Sequence, residues 1–180
     1  PDEAFYAHIH KSKSRKYLII GATSTLTSEY RFVEANEPTQ EFRLFQSRVR
    51  GMEYGIAHFQ DHFYILTNWE AKNFRLMKCG LEHTDRSNWQ EEIPHRADTL
   101  LEGMDLFNDF MVLEERSKGL TQIRIKQFSA ATDYYMRFDD ETYTAGTSVN
   151  PEYNTQILRF GYTSMTTPSS TYDFDMATQE

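Results

Sequence analysis

Histidines, one cysteine and adjacent carboxylates are the residues in this 180-residue chain with the most chemical potential. His8 and His10 stand two apart, so on a strand both rings project to one face. His58 and His62 flank a tight turn. Either pair offers two ligands to a divalent metal, but the spacing supplies no third, and no metal site is expected. Pairs such as Glu91-Glu92, Glu114-Glu115 and Asp139-Asp140 occupy neighbouring strand positions. Their side chains would point to opposite faces, poor geometry for shared acid–base work, and they read as exposed strand ends. Cys79 reads as a small buried filler with no local feature that would activate a thiol, and one cysteine cannot close an internal disulfide. The string Gly161-Tyr162-Thr163-Ser164-Met165 lacks the second glycine of a G-x-S-x-G elbow. No G-x-G-x-x-G or phosphate-binding loop occurs. No catalytic residue and no cofactor is therefore expected within the chain.

The elements that would position these side chains are short and β-rich. Tyr17-Leu18-Ile19-Ile20, Phe63-Tyr64-Ile65-Leu66, Phe110-Met111-Val112-Leu113 and Ile157-Leu158-Arg159-Phe160 are apolar-rich runs bounded by polar residues or glycine, as buried strands require. Reference positions Tyr17, Tyr64, Met111 and Leu158 are each separated by 47 residues. A fixed period of this size in a β-rich chain points to propeller blades. Each run is followed by a shorter strand, at Tyr30-Arg31-Phe32, Phe74-Arg75-Leu76, Ile123-Arg124-Ile125 and Tyr172-Asp173-Phe174. Fourth strands are expected at 42–45, 89–93 and 134–138, and first strands at 5–9, 54–59, 102–107 and 143–148. Pro38, Pro94, Pro151 and Pro168 all fall between these strands, where a missing backbone donor costs nothing, and Pro1 precedes the first. No helical period of ten or more residues competes.

The expected fold is all-β: about four four-stranded antiparallel blades, the last incomplete, with bounds near 1–50, 51–97, 98–140 and 141–180. Strand one of a blade borders the central channel of a propeller. That makes His8, His10, His58, Glu102 and Asp105 the expected channel-side residues. The basic run Lys11-Ser12-Lys13-Ser14-Arg15-Lys16 reads as a solvated turn.

The chain carries 19 basic and 27 acidic residues, a net charge of −8. That balance argues against nucleic acid and anionic membranes, whose binding needs clustered Lys and Arg. A hydrophobic fraction of 39% with 14% aromatics is too rich for a disordered chain. No apolar run approaches the ~18 residues of a membrane helix. Low cysteine use suits a reducing compartment, and a cytoplasmic location is expected. The chain opens at Pro1 without methionine, and its last residues read as a strand running into a polar turn. Both ends suggest a piece of a longer protein, with unprotected outer blade faces that would favour self-association.

Several strings carry a family resemblance: Tyr17-Leu18-Ile19-Ile20 with Thr27-Ser28-Glu29-Tyr30-Arg31, Lys72-Asn73-Phe74, Val112-Leu113-Glu114-Glu115-Arg116 with Gly119-Leu120-Thr121, and Arg159 through Pro168. Together they resemble the propeller of the oligopeptidase B group within the prolyl oligopeptidase family of serine peptidases. The resemblance spans essentially the whole chain. It implies part of a seven-bladed propeller that covers a separate α/β-hydrolase domain bearing the Ser, Asp and His of catalysis. It further implies cleavage of short peptides after Lys or Arg, with the propeller excluding large folded substrates. The partners so implied are that catalytic domain and peptide substrates. The competing expectation is a self-contained propeller scaffold for protein–protein interaction.

Overall fold

The structure, a computed structural model, describes residues 5–180; Pro1 lies outside them. The described residues form fifteen β-strands in four antiparallel sheets. Strands β1 (Tyr6–Lys11), β2 (Tyr17–Thr23), β3 (Ser28–Glu34) and β4 (Arg43–Gln46) pair in chain order. The same up-and-down order joins β5 (Tyr54–Phe59), β6 (His62–Thr67), β7 (Arg75–Gly80) and β8 (Gln90–Ile93). A third sheet holds β9 (Thr99–Leu106), β10 (Phe110–Ser117), β11 (Leu120–Gln127) and β12 (Thr132–Tyr135). The fourth has three strands, β13 (Tyr143–Thr147), β14 (Ile157–Ser164) and β15 (Ser170–Asp175). Sheets one and two make one compact unit, Pro1–His95, and sheets three and four another, Arg96–Glu180. No helix among the described residues is long and apolar enough to cross a membrane.

Hairpin connections explain the simple order, since adjacent antiparallel strands need only tight turns. The β5–β6 turn has two residues, Gln60 and Asp61, and places Phe59 opposite His62. Gln60 takes φ +52°, as a turn that follows the strand twist requires.

Each unit has its own core where its two sheets face each other. In the first, Tyr17, Ile19, Phe32, Phe45, Tyr54, Phe63, Ile65 and Trp89 form one cluster. Phe63 is fully buried and its ring meets Tyr17, Phe32 and Phe45 at centroid distances of 5.1, 5.0 and 5.2 Å. In the second, Phe107, Phe110, Val112, Ile123, Ile125, Leu158 and Phe160 form the matching cluster, with a larger share of aliphatic side chains.

Three local expectations are corrected. Phe74 is not a strand residue: it sits at φ +60°, and its N–H closes a turn onto the Ala71 carbonyl at 2.9 Å. The fourth strand of the third sheet is Thr132–Tyr135 rather than 134–138. Its ladder ends where the Met136 N–H donates to the Ile123 carbonyl, and Phe138 turns away to meet the Tyr143 and Tyr162 rings at 4.7 and 5.2 Å. Aromatic contact with the neighbouring sheet outweighs continuation of the ladder. The basic turn is not uniformly solvated either. Ser12 is buried and accepts from the Tyr17 N–H, because its hydroxyl supplies the bond that closes the hairpin.

Candidate functional site

The expected channel-side residues fall into three environments. His8 and His10 are exposed on β1, with ring centroids 5.6 Å apart. The His8 ring lies against Gly21 on β2, where a Cβ would come within 2.3 Å of it, and meets Tyr30 edge-on at 6.0 Å. Burial, and secondarily the neighbouring His8, lower the pKa of His10. Glu102 is exposed on β9 and accepts from Arg116 Nε at 2.8 Å. Asp105 lies half-buried on the same strand. His58 is different: at 3% exposed it is a core side chain, 4.8 Å from the Tyr17 ring and 5.5 Å from Phe63.

His58 also makes an arrangement that resembles a nucleophile–base pair, with its Nδ1 2.7 Å from the Ser14 hydroxyl. Chemistry at neutral pH needs an imidazole that can take and return a proton. Burial, reinforced by nearby Lys16, holds the His58 pKa down at about 4. Ser14 in turn bonds to Ser12 at 3.0 Å. This contact ties the β1–β2 turn to β5 and thereby joins two sheets. The Cys79 thiol is equally unreactive, since burial and, less strongly, Asp85 push its pKa up to about 12.

The carboxylates carry what sequence reasoning missed. Glu114 and Glu115 are not exposed strand ends. They do point to opposite faces of β10, and each face gives its carboxylate a different task. Glu114 reaches the first strand of the next sheet and accepts from Thr147 twice, from the backbone N–H at 2.5 Å and from Oγ1 at 2.7 Å. Glycines clear its path. A Cβ at Gly103 would stand 2.9 Å from one Glu114 oxygen, and one at Gly146 would stand 3.4 Å from the other. Glu115 is 0% exposed, with Arg96 against its Oε1 and Arg124 at 3.5 Å, while the Tyr135 hydroxyl donates to Oε2 at 2.8 Å. A carboxylate buried at this depth is tolerated because cations and a hydroxyl surround it. The partners come from loops and strands nine or more residues away, which no local motif reveals. The other pairs are also engaged: Glu91 with Arg75 at 3.3 Å, Glu92 with Lys78 at 2.9 Å, and Asp140 with the Tyr162 hydroxyl at 2.5 Å.

In the first unit a phenol plays the part of Glu114. Tyr54 on β5 receives the Tyr30 N–H at 3.0 Å and donates to the Gln46 carbonyl at 2.8 Å. Tyr30 and Gln46 flank the register shift between β3 and β4. The hydroxyl thus fills a ladder position that the bulge leaves open. Burial raises the pKa of Tyr54, so the phenol stays a donor. A hydroxyl also bridges in the second unit, where Thr121 accepts from the Ala145 N–H at 2.8 Å. The chemistry of these groups is that of joints between sheets.

Comparison with known proteins agrees with that architecture. The family described as prolyl oligopeptidase, N-terminal beta-propeller domain, matches residues 1–180. Dipeptidyl aminopeptidase BI of Pseudoxanthomonas mexicana is 37% identical over 180 residues, covering 99% of this chain and 25% of that protein. Protease 2 of Moraxella lacunata is 29% identical over 179 residues, again covering 99% of this chain and 25% of the relative. Among solved structures, oligopeptidase B from Trypanosoma brucei with covalently bound antipain superposes with a TM-score of 0.92 at 28% identity, over 99% of this chain and 27% of that one. The chain therefore spans about a quarter of the length of the relatives it matches. Repeated four-stranded sheets, joints between them and a full-length family match lead to one conclusion: the chain belongs to the prolyl oligopeptidase family of serine peptidases, as part of its N-terminal β-propeller domain.

Proposed function

We propose that this chain is a non-catalytic gating wall of a serine oligopeptidase that cleaves short peptides after Lys or Arg. The observation that carries this reading is the use of the polar side chains. Tyr54, Thr121 and Glu114 are committed to joints between sheets, and the Ser14–His58 pair has its base held out of range. Hydrolysis would belong to the separate α/β-hydrolase domain, through an acyl-enzyme on its serine. The wall's share is selection by size and charge. A net charge of −8 favours the approach of cationic peptides, which suits cleavage after a basic residue.

The test is performed on the full-length protein with N-terminally blocked peptides ending in Lys or Arg amides. Hydrolysis abolished by a serine-directed reagent, and falling sharply as the peptide is lengthened or folded, is the expected result. Salt separates steering from gating: a kcat/KM that does not change with ionic strength removes steering alone. A second substrate reading comes from the relative at 37% identity, named a dipeptidyl aminopeptidase. Release of dipeptides from free amino termini, with blocked peptides left intact, would select it.

A further inference from the structure

The sequence offers two histidine pairs, and the structure keeps one of them whole. His62 is exposed at the start of β6 while His58 is buried among rings, so that pair shares no surface. His8 and His10 are both exposed on β1. The strand sends both to one face, where their ring centroids lie 5.6 Å apart with 18° between the planes. The other exposed histidines, His62, His83 and His95, stand on separate elements of the chain.

The pair is positioned rather than loose. Gly21 stands opposite His8, and Ile19 opposite His10. A Cβ at Gly21 would lie 2.3 Å from His8 Cε1 and 2.5 Å from Nε2, so this edge of the ring rests on the glycine backbone. Tyr30 meets the same ring edge-on at 6.0 Å. The contact with Gly21 leaves Nδ1 as the open nitrogen of His8. Among the described residues, no hydrogen bond or ion pair occupies either imidazole. The strand positions that share this face beside them, Tyr6, Ile19, Gly21, Thr23 and Tyr30, carry no charge that would repel a cation.

Two neighbouring imidazoles that each bond one ion at about 2.0–2.1 Å hold their ring centres about 5–6 Å apart. The observed 5.6 Å falls in that range, and the soft torsion that turns a histidine ring lets both nitrogen edges face the ion. Among the described residues no third His, Cys, Asp or Glu joins the pair. That argues against a closed structural zinc site but suits an ion whose remaining positions hold water. Imidazole nitrogen favours copper, nickel and zinc over calcium and magnesium, which prefer oxygen, and copper(II) binds tightest in that series. We infer that His8 and His10 together bind one divalent transition-metal ion, copper(II) ahead of zinc, with water completing the shell. The site needs only β1 and β2 and does not depend on the proposed function.

The test titrates the full-length protein with Cu2+ alone by calorimetry and reads the bound ion by paramagnetic resonance. A site for one ion with two equatorial nitrogens is expected. His8→Gln and His10→Gln should each weaken it about tenfold or more, and Zn2+ should compete for it while Mg2+ should not. Gly21→Ala keeps both imidazoles but pushes the His8 ring aside, so it should weaken binding as well. His62→Gln and His83→Gln should leave the site intact, and circular dichroism confirms that each variant is folded. Differences between variants isolate this site from any other copper ligand of the full-length protein. Undiminished affinity in both His8→Gln and His10→Gln overturns the site. So does a loss in only one of them, since a shared ion needs both rings, and so does an equal loss in His62→Gln.

Discussion

Among the bridges between the first two sheets is the Tyr54 phenol; among those between the last two is the Glu114 carboxylate, beside the Thr121 hydroxyl and the Tyr134 phenol, which donates to the Met176 carbonyl at 2.7 Å. Tyr54 bridges within a wall of rings, where Phe32, Phe45 and Phe63 supply area and interlocking shape. Glu114 bridges across two glycines, in a seam whose core mixes Phe107, Phe110 and Phe160 with a larger share of aliphatic side chains. The Tyr54 phenol keeps its proton at any ordinary pH, so its bridge works the same way in acid and at neutrality. The carboxylate accepts best when ionised, and it crosses above two glycines. Similar blades can therefore be joined by shape or by charge, and the choice sets how each joint fails.

The largest expected effect tests shape. Phe63→Ala removes a fully buried ring with four ring partners and should cost about 3–5 kcal/mol. Leu158→Ala, fully buried in the other seam, should cost about 2–5 kcal/mol, nearer the lower bound if that seam relaxes. Urea midpoints of the two variants compare them directly. The polar bridges come next. Glu114→Ala strands the Thr147 N–H and should cost about 2–3 kcal/mol, whereas Tyr54→Phe keeps the ring and should cost about 1–2 kcal/mol. Equal losses would show that the charge on the second bridge adds nothing.

A pH titration sharpens the contrast through His58, which sits in the aromatic seam. Its folded pKa of about 4 lies below the ordinary 6.5, so the unfolded chain takes up the proton first as pH falls. The stability linked to this group is complete above about pH 6.5 and is lost between there and 4. A loss of about 1–2 kcal/mol is expected, absent in His58→Gln, and read from thermal midpoints at pH 7 and 4.5. The smallest effect belongs to Asp173→Asn. Arg159 and Asp173 form a two-pronged pair at 2.7 Å, but both are about half exposed, so only a slight drop in the urea midpoint is expected, and salt should erase it.

What could be read beforehand was what repeats. Tyr17, Tyr64, Met111 and Leu158 recur because each second strand sends buried apolar positions into a core, on both faces in β6 and β10 but on one in β14, where Ile157 and Arg159 are exposed. Prolines fell where ladders are absent. What could not be read depends on residues brought together only by folding. Nothing around Glu115 announces Arg96, Arg124 and Tyr135, and nothing around His58 announces the ring of Tyr17. His8 and His58 look alike in sequence, yet one lies on an exposed strand and the other inside an aromatic cluster. Phe74 failed for a local reason: a left-handed turn needs no glycine when the surrounding loop fixes the backbone.

Gly103 gives the acid at position 114 a dependent. A methyl group at 103 would press on the carboxylate that crosses above it, within 2.9 Å. Among natural variants, an alanine at 103 should therefore arrive together with a shorter or uncharged residue at 114. An engineer grafting this joint into another repeat must transplant the glycine along with the acid.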